Sequence, residues 1–340
     1  MKVSRWIALA MVVALVSSVA ATAAFGGSSR TAAPKAGIVA SLVSDVAGFN
    51  DNGFNKNQLV GLNKAVKKVG GTAVPLVSHS ASDYKPNFNS AIRKGAKVVI
   101  AAGFLLAPTM KTYAKQFPNV DFAITDDSYK DAGGYKNVEG LTYATEQGGC
   151  LVGVLAAKEA QKLGGNTIGA VGGIKIPPVD SYIAGYKYCA AKAVPGTKTI
   201  VQYSNDFNAQ DKCATVAQNE MGQGAKVIFQ VAGGCGIGAL KAAASAGNWG
   251  IGVDSDEFSV AKNILTSAVK KTDVGVYDAV TQAAAGKFQG GSDLKLNLKN
   301  NGVGVGKIHP SVPASWIKLM NSYRAKIIAG TLKPPASLGK

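Results

Sequence analysis

Histidine is nearly absent from this 340-residue sequence, which contains only His79 and His309. Both lie in polar segments, far apart along the chain. A catalytic metal site usually draws on clustered histidines, and a hydrolytic triad needs a histidine beside a nucleophile and an acid. The sequence has neither pattern, and it has no nucleophile-elbow motif. We therefore predict that the protein is not an enzyme and has no metal or cofactor.

Long apolar runs are also missing, apart from a short one near the start. Two basic residues precede the apolar stretch 6–16, and the small residues 21–23 follow it. This pattern is typical of a secretory signal peptide, and the apolar stretch is short for a membrane-spanning helix. We predict a signal peptide over residues 1–24, a linker over 25–35 and an exported product, periplasmic or extracellular. No cysteine stands near the cleavage region, so a lipid anchor is not predicted.

Cysteine is limited to four residues, whose spacing fits no zinc-binding pattern. An even number in an exported protein permits disulfides. The four residues are Cys150, Cys189, Cys213 and Cys235. Three pairings are possible, and the sequence does not choose among them. We favour Cys189 with Cys213, which would leave Cys150 and Cys235.

Acidic residues are few: 20, against 37 lysines and arginines, for a net charge of +17. The lysines are nevertheless scattered singly or in pairs such as Lys67-Lys68. No basic block alternates with aromatic residues, as a nucleic-acid surface would require. Because net charge bears on solubility and association, we interpret the excess as a solvated surface and predict no nucleic-acid partner.

What the sequence does contain is a repeated alternation of short apolar runs and amphipathic segments. The first series begins with a buried strand over 36–43 and a helix over 58–69, and a second series follows the helix that starts near residue 150. Alternating strands and helices indicate an α/β fold with parallel sheets. We predict two Rossmann-like lobes joined by a multi-strand hinge. Their boundaries are 36–145 plus 255–290 for lobe 1, 146–254 plus 291–330 for lobe 2, and 331–340 for a tail.

Polar and aromatic residues gather where the predicted strands end. The loop 44–57 is rich in Asp, Asn and Phe, and it joins the first strand to the first helix. Ligands of open α/β sheets bind outside the carboxyl ends of the strands. If both sheets direct these ends into one cleft, the loops form a single site. The alternative is that this loop is only a turn built from turn-forming residues.

The loop 44–55, with the sequence SDVAGFNDNGFN, resembles the first loop of the basic membrane protein family. These are type I periplasmic binding proteins that include purine-nucleoside receptors of ABC transporters. Segments 180–186, 231–236, 251–256 and 266–270 are similar to that family in the same order. The resemblance implies the type I periplasmic binding protein fold, a small-molecule ligand and an ABC transporter permease as partner. We expect a monomer.

The resemblance also implies eight ligand-binding residues. In that family two aromatic rings sandwich the nucleoside base, two polar residues hydrogen-bond it, and four residues contact the ribose. The matching positions here are, in that order, Phe54 and Phe207, Asp45 and Asn55, and Asp126, Gly233, Asp254 and Lys270. Asp127 is an alternative to Asp126. The family usually has an acid soon after the second aromatic residue, where this sequence has Ala209.

Two other readings of the sequence compete with this one. Residues 234–239 fit the dinucleotide-binding pattern G-x-G-x-x-A, follow a predicted strand, and precede Asp254 at the spacing of a ribose-binding acid. The motif comes late in the chain, however, and no acid–base centre accompanies it. A sugar or another small polar solute is the second alternative. Sugar sites favour tryptophan platforms, and neither Trp249 nor Trp316 lies on the candidate loops.

Overall fold

A computed structural model describes residues 37–339, so the predicted signal peptide and linker lie outside the described residues. The strands are β1 (Val39–Val43), β2 (Thr72–Leu76), β3 (Val98–Ala101), β4 (Asp121–Thr125), β5 (Val138–Tyr143), β6 (Thr167–Gly172), β7 (Lys198–Tyr203), β8 (Val227–Val231), β9 (Trp249–Asp254), β10 (Ile264–Lys270), β11 (Ser292–Leu296) and β12 (Val303–Val305). The helices are α1 (Phe54–Val69), α2 (Tyr84–Arg93), α3 (Ala107–Gln116), α4 (Thr145–Lys162), α5 (Pro177–Ala193), α6 (Gln210–Gly222), α7 (Gly233–Ser245), α8 (Thr272–Ala284) and α9 (Ala314–Ile328). None of the described helices combines the length and the apolar character needed to span a bilayer.

Lobe 1 is built on an entirely parallel sheet of order β11-β5-β4-β3-β1-β2. Apolar residues of α1 and α8 pack against one face, and those of α2 and α3 pack against the other. Every residue of the central strand β3 is buried, as expected for a strand covered on both faces. Pro75 lies in β2 at the edge of the sheet, where its missing N–H breaks no ladder.

Lobe 2 repeats this plan with the order β12-β10-β9-β8-β6-β7, in which only the β10–β12 pair is antiparallel. The helices α4, α5 and α9 cover one face of the sheet, and α6 and α7 cover the other. The predicted α/β fold with two lobes and parallel sheets is confirmed.

The chain passes between the lobes three times, after β5, after β10 and after β11. These crossings correct two parts of the predicted lobe boundaries. Strand β10 lies in the lobe 2 sheet because it pairs with β9, although 255–290 was assigned to lobe 1. Strand β11 lies in the lobe 1 sheet because it pairs with β5, although 291–330 was assigned to lobe 2. Local sequence does not identify such pairings, because the partners are more than 100 residues apart in the second case.

The two disulfides both lie in lobe 2, and they differ from the pairing that we favoured. Cys150 in α4 bonds to Cys189 in α5, with a Cα–Cα distance of 4.9 Å. Cys213 in α6 bonds to Cys235 in α7, with a Cα–Cα distance of 5.6 Å. The favoured Cys189–Cys213 pair is wrong because α5 and α6 cover opposite faces of the sheet. The paired cysteines are 39 and 22 residues apart in the chain. A disulfide that closes a loop of such a length typically stabilises a fold by about 3–4 kcal/mol.

Candidate ligand-binding site

The carboxyl ends of the parallel strands in both sheets face a single cavity between the lobes, which encloses about 550 Å³ of space, part of it open to solvent. All eight residues predicted from the sequence line it. Lobe 1 supplies Asp45, Phe54, Asn55 and Asp126, and lobe 2 supplies Phe207, Gly233, Asp254 and Lys270. The convergence of loops from both lobes is therefore observed.

The first loop is held by Asp51, whose carboxylate accepts hydrogen bonds from the N–H groups that open α1. These include the backbone N–H groups of Asn55 at 2.7 Å and Lys56 at 3.1 Å. Satisfying these otherwise unpaired donors lets α1 begin at Phe54, one turn before the start predicted at residue 58. Phe54 thus lies on the first turn of a helix and not in a flexible loop. This role of Asp51 was not predicted, although an aspartate shortly before a helix is a recognisable signal.

Asp45 lies at the lobe 1 end of the cavity, and one of its oxygens is already occupied. Its Oδ1 accepts hydrogen bonds from the Ala47 N–H at 2.9 Å and the Asn55 side-chain amide at 2.7 Å. Burial raises the pKa of the Asp45 carboxyl to about 7, although these hydrogen bonds act in the opposite direction. The nearby acids Asp51 and Asp126 raise that pKa further. Burial and the neighbouring acids therefore favour the protonated form of the Asp45 carboxyl.

Asn55 lines the cavity, but its amide is used within the protein. Its Nδ2 donates to Asp45 at 2.7 Å and to Asp51 at 3.0 Å, and its Oδ1 accepts the Asp45 backbone N–H at 3.3 Å. Both amide protons are engaged, and the residue is fully buried. Asn55 therefore positions the two aspartates, and the hydrogen bond to the base that the resemblance implies for it stays a prediction.

Each of the two predicted sandwich rings lies against a glycine. Phe54 contacts Gly103, where an added Cβ would lie 3.0 Å from the ring carbon Cε1. Phe207, in the loop between β7 and α6, lies against Gly173, where a Cβ would overlap the ring. Gly103 also has a φ of +113°, which a side chain would strain. These glycines leave room for the two rings at the cavity wall.

A lysine and two aspartates form the polar end of the cavity. Lys270 Nζ lies 2.7 Å from Asp126 Oδ2 and 3.5 Å from Asp254 Oδ1, and its side chain is only 3% exposed. Burial lowers the pKa of the Lys270 ammonium, but Asp126 and Asp254 together raise it by more, so the net shift is upward. Both aspartates have a positive φ, +66° for Asp126 and +59° for Asp254. Non-glycine residues adopt this conformation uncommonly, and it directs both carboxylates from strand ends towards the ammonium.

Tyr182, which is not among the predicted site residues, completes this end of the cavity. Its hydroxyl lies 3.2 Å from Asp254 Oδ1, and its ring lies 5.6 Å from Lys270 Nζ. The alternative acid, Asp127, does not line the cavity, and its carboxylate accepts the Ser128 N–H at 2.9 Å. Among residues 37–339, no group of three histidine, cysteine, aspartate or glutamate side chains is arranged to hold a metal ion.

The glycines of the G-x-G-x-x-A segment serve helix packing. A Cβ at Gly236 would overlap the Gln230 side chain, and one at Gly238 would overlap the backbone of Gln210 at the start of α6. The Cys235 N–H in the first turn of α7 donates to the Phe207 carbonyl at 2.9 Å. A dinucleotide motif directs such N–H groups at a pyrophosphate. Because the Phe207 carbonyl already accepts the Cys235 N–H, this group is not free to bind a pyrophosphate, which weighs against a dinucleotide site here.

Direct contacts join the two lobes beside the cavity. Asn57 Nδ2 on lobe 1 donates to Ser255 Oγ on lobe 2 at 2.9 Å. Asn208 Nδ2 on lobe 2 donates to the Val46 carbonyl on lobe 1 at 2.8 Å. The Lys270–Asp126 ion pair also joins the lobes. A ligand in this cavity would be held between the two halves of the protein.

Comparison with known proteins agrees with this geometry. The sequence model of the family described as ABC transporter substrate-binding protein PnrA-like matches residues 38–337. The chain is 34% identical to the ABC transporter nucleoside-binding protein BmpA of Lactococcus lactis subsp. cremoris, over 80% of this chain and 82% of that protein. It is 32% identical to the CD4+ T-cell-stimulating antigen of Listeria monocytogenes, over 86% and 87% of the two chains.

A solved structure supports the fold independently. The crystal structure of an ABC transporter solute-binding protein from Aeropyrum pernix superposes with a TM-score of 0.78 at 24% identity, covering 88% of this chain and 94% of that chain. The predicted type I periplasmic binding protein fold is therefore confirmed. The family match spans almost the whole described chain. From the fold, the interlobe cavity and this match, we conclude that the chain belongs to the PnrA-like family of ABC transporter substrate-binding proteins.

Proposed function

We propose that the protein binds a purine nucleoside, or a similar small planar solute, and delivers it outside the cytoplasm to the permease of an ABC importer. The observation that carries this proposal is the pair Phe54 and Phe207, which enter one cavity from opposite lobes. Stacking between a base and two aromatic rings suits any purine, because every base offers a π-face. The relative named as a nucleoside-binding protein supports the same ligand class.

The polar end of the cavity fits a ribose. The Asp126 and Asp254 carboxylates can accept hydrogen bonds from sugar hydroxyls, and the Lys270 ammonium can donate one. Four aspartates and one lysine line the cavity, and this excess of acids disfavours a phosphate group. We therefore propose that nucleosides bind in preference to nucleotides. Lobe closure around the ligand would present a distinct shape to the permease.

We propose that the protein binds its ligand and does not catalyse a reaction on it. The cavity combines aromatic rings, carboxylates and an ammonium, and these groups account for recognition of a nucleoside without a catalytic step. We also propose that the chain is exported, on the basis of the signal-peptide pattern in residues 1–24 and the membership of an importer family. We propose a monomeric receptor, which size-exclusion chromatography with light scattering would test.

Unfolding and refolding the protein would remove any co-purified solute, and isothermal titration calorimetry on the refolded protein would then test the ligand class. The panel would contain adenosine, guanosine, inosine, their 5′-monophosphates, free ribose and common hexoses. We expect binding of at least one purine nucleoside and much weaker binding of the monophosphates. Tight binding of a hexose, with no response to any nucleoside, would establish the sugar alternative in its place.

Two variants test the aromatic sandwich directly. Phe54→Ala and Phe207→Ala should each weaken nucleoside binding by about 1–3 kcal/mol, the range measured for base–aromatic stacking. Phe288→Ala is the matched control, because Phe288 is a partly buried residue that packs against the lobe 1 core. If Phe54→Ala and Phe207→Ala bind as the control does, the rings do not form the base site.

A further inference from the structure

The Phe207 loop is fixed by contacts to both helices that cover one face of lobe 2. The Phe207 carbonyl accepts the Cys235 N–H from the first turn of α7 at 2.9 Å. On the α6 side, Asp206 accepts the backbone N–H of Asn208 at 2.8 Å and pairs with Lys212 at 2.8 Å. The ring position therefore depends on how the first turns of α6 and α7 are placed relative to each other.

The Cys213–Cys235 disulfide joins these two first turns. Cys213 is the fourth residue of α6, and Cys235 is the third residue of α7, two positions after the cavity-lining Gly233. Both cysteines are fully buried. Gly238 allows the backbone of α7 to approach the start of α6 closely, so the covalent bond and the packing act at one contact. The bond thus lies beside the cavity, at the end of the helices that carries the ligand loops.

The other disulfide is placed differently. Cys150 and Cys189 join α4 to α5 on the opposite face of the lobe 2 sheet. The cavity-lining residue nearest to Cys189 along the chain is Tyr182, and α4 contributes no lining residue. Close approach of α4 to α5 is also maintained by Gly149, Gly153 and Gly185. Removal of the Cys150–Cys189 disulfide should therefore reduce the stability of the fold and leave the cavity unchanged.

We infer that the Cys213–Cys235 disulfide is a positioning element of the ligand site. It fixes the position of Phe207 relative to Gly233, so that the Phe207 ring can stack on a planar ligand. This inference rests on the proposed function, because it requires a ligand that stacks on Phe207. It assigns different roles to the two disulfides: one maintains affinity, and the other maintains stability alone.

Matched removal of each bond tests the inference. The variants are Cys213→Ala with Cys235→Ala, and Cys150→Ala with Cys189→Ala as the control. Loop-closure entropy depends only weakly on loop length, so the two losses of stability should be similar. With purine nucleoside as the ligand, the Cys213/Cys235 variant should bind about tenfold more weakly, as if part of one stacking contact were lost. The control should bind within about twofold of the wild type.

A double-mutant cycle separates positioning from general loosening of the lobe. In a Phe207→Ala background, removing Cys213 and Cys235 should cause little further loss of affinity, because the ring that they position is already absent. If the Ala pair does not fold, Cys213→Val with Cys235→Ala refills the space of the bond. An equal effect of the two disulfides, or a full tenfold loss in the Phe207→Ala background, overturns the inference alone. Absence of nucleoside binding by the wild type overturns the proposed function and this inference with it.

Discussion

The ammonium of Lys270 lies 2.7 Å from the carboxylate of Asp126, although 144 residues separate the two positions in the chain. Asp126 follows the last residue of β4 in lobe 1, and Lys270 is the last residue of β10 in lobe 2. Their contact links the two sheets at the cavity. Because Asp254 of lobe 2 lies 3.5 Å from the same ammonium, Lys270 neutralises acids from both lobes.

Lys270→Met should weaken nucleoside binding by about tenfold or more, the usual value of a hydrogen bond to a charged group. It also leaves Asp126 and Asp254 facing each other without a cation, so the ligand-free lobes should separate. Calorimetry would measure the affinity, and small-angle X-ray scattering would measure the opening. The control is Lys271→Met, because Lys271 is adjacent and exposed. Wild-type affinity in Lys270→Met would remove the ammonium from the site.

Asp126→Asn and Asp127→Asn distinguish the two acids between which the sequence could not choose. Asp126 lines the cavity and pairs with Lys270, whereas Asp127 accepts the Ser128 N–H outside the lining. We expect Asp126→Asn to reduce nucleoside affinity by about tenfold, because a charge-assisted contact is lost. Asp127→Asn should leave the affinity within about twofold. The reverse order, measured by the same titration, would reassign the ribose contact to Asp127.

Gly103→Ala should displace Phe54, because the new Cβ would lie 3.0 Å from the ring carbon Cε1. We expect a loss of nucleoside affinity of about tenfold, since stacking requires a correctly placed ring. Gly95→Ala is the control for backbone strain: Gly95 has a φ of +75° and no heavy atom near its Cβ position. Both variants should lose stability, but only Gly103→Ala should lose affinity. Equal affinities in a calorimetric titration would show that Phe54 tolerates the extra methyl group.

Asp45→Asn should change how stability depends on pH. Burial raises the pKa of Asp45 from 3.8 to about 7, so the folded chain binds a proton in this interval that the unfolded chain has released. The resulting stabilisation is fully present below about pH 4 and is lost as the pH rises through about 7. From about pH 5 to pH 8, the wild type should lose about 2–3 kcal/mol of unfolding free energy relative to the variant.

Urea unfolding of both proteins at several pH values would measure this difference. Asparagine can accept the same hydrogen bonds from Ala47 and Asn55, so it preserves the local geometry at Asp45. Other buried carboxyls, such as Glu220 and Glu257 with pKa values raised by burial to about 8, affect both proteins equally. Parallel stability profiles for the wild type and the variant would contradict the assignment to Asp45.

The sequence predicted much of the site because its signals are local. Buried parallel strands appear as apolar runs, and the polar residues that follow them mark the carboxyl edge of a sheet. Asp45, Asp126 and Asp254 could therefore be located from strand ends alone. The resemblance then added Asn55 and a role for each residue. Two strands were not predicted, because β12 has only three residues and β11 alternates polar with apolar residues, so neither forms an apolar run.

Taken by itself, the sequence determined the two α/β lobes, the loops that form the site and the family of the chain. These follow from hydrophobic periodicity and from motifs a few residues long. Only the tertiary structure decided the disulfide partners, the lobe to which β10 and β11 belong, the engagement of the Asn55 amide and the position of Lys270 between two acids. Each of these depends on residues that are remote in sequence, and the packing of sheets and helices brings them together.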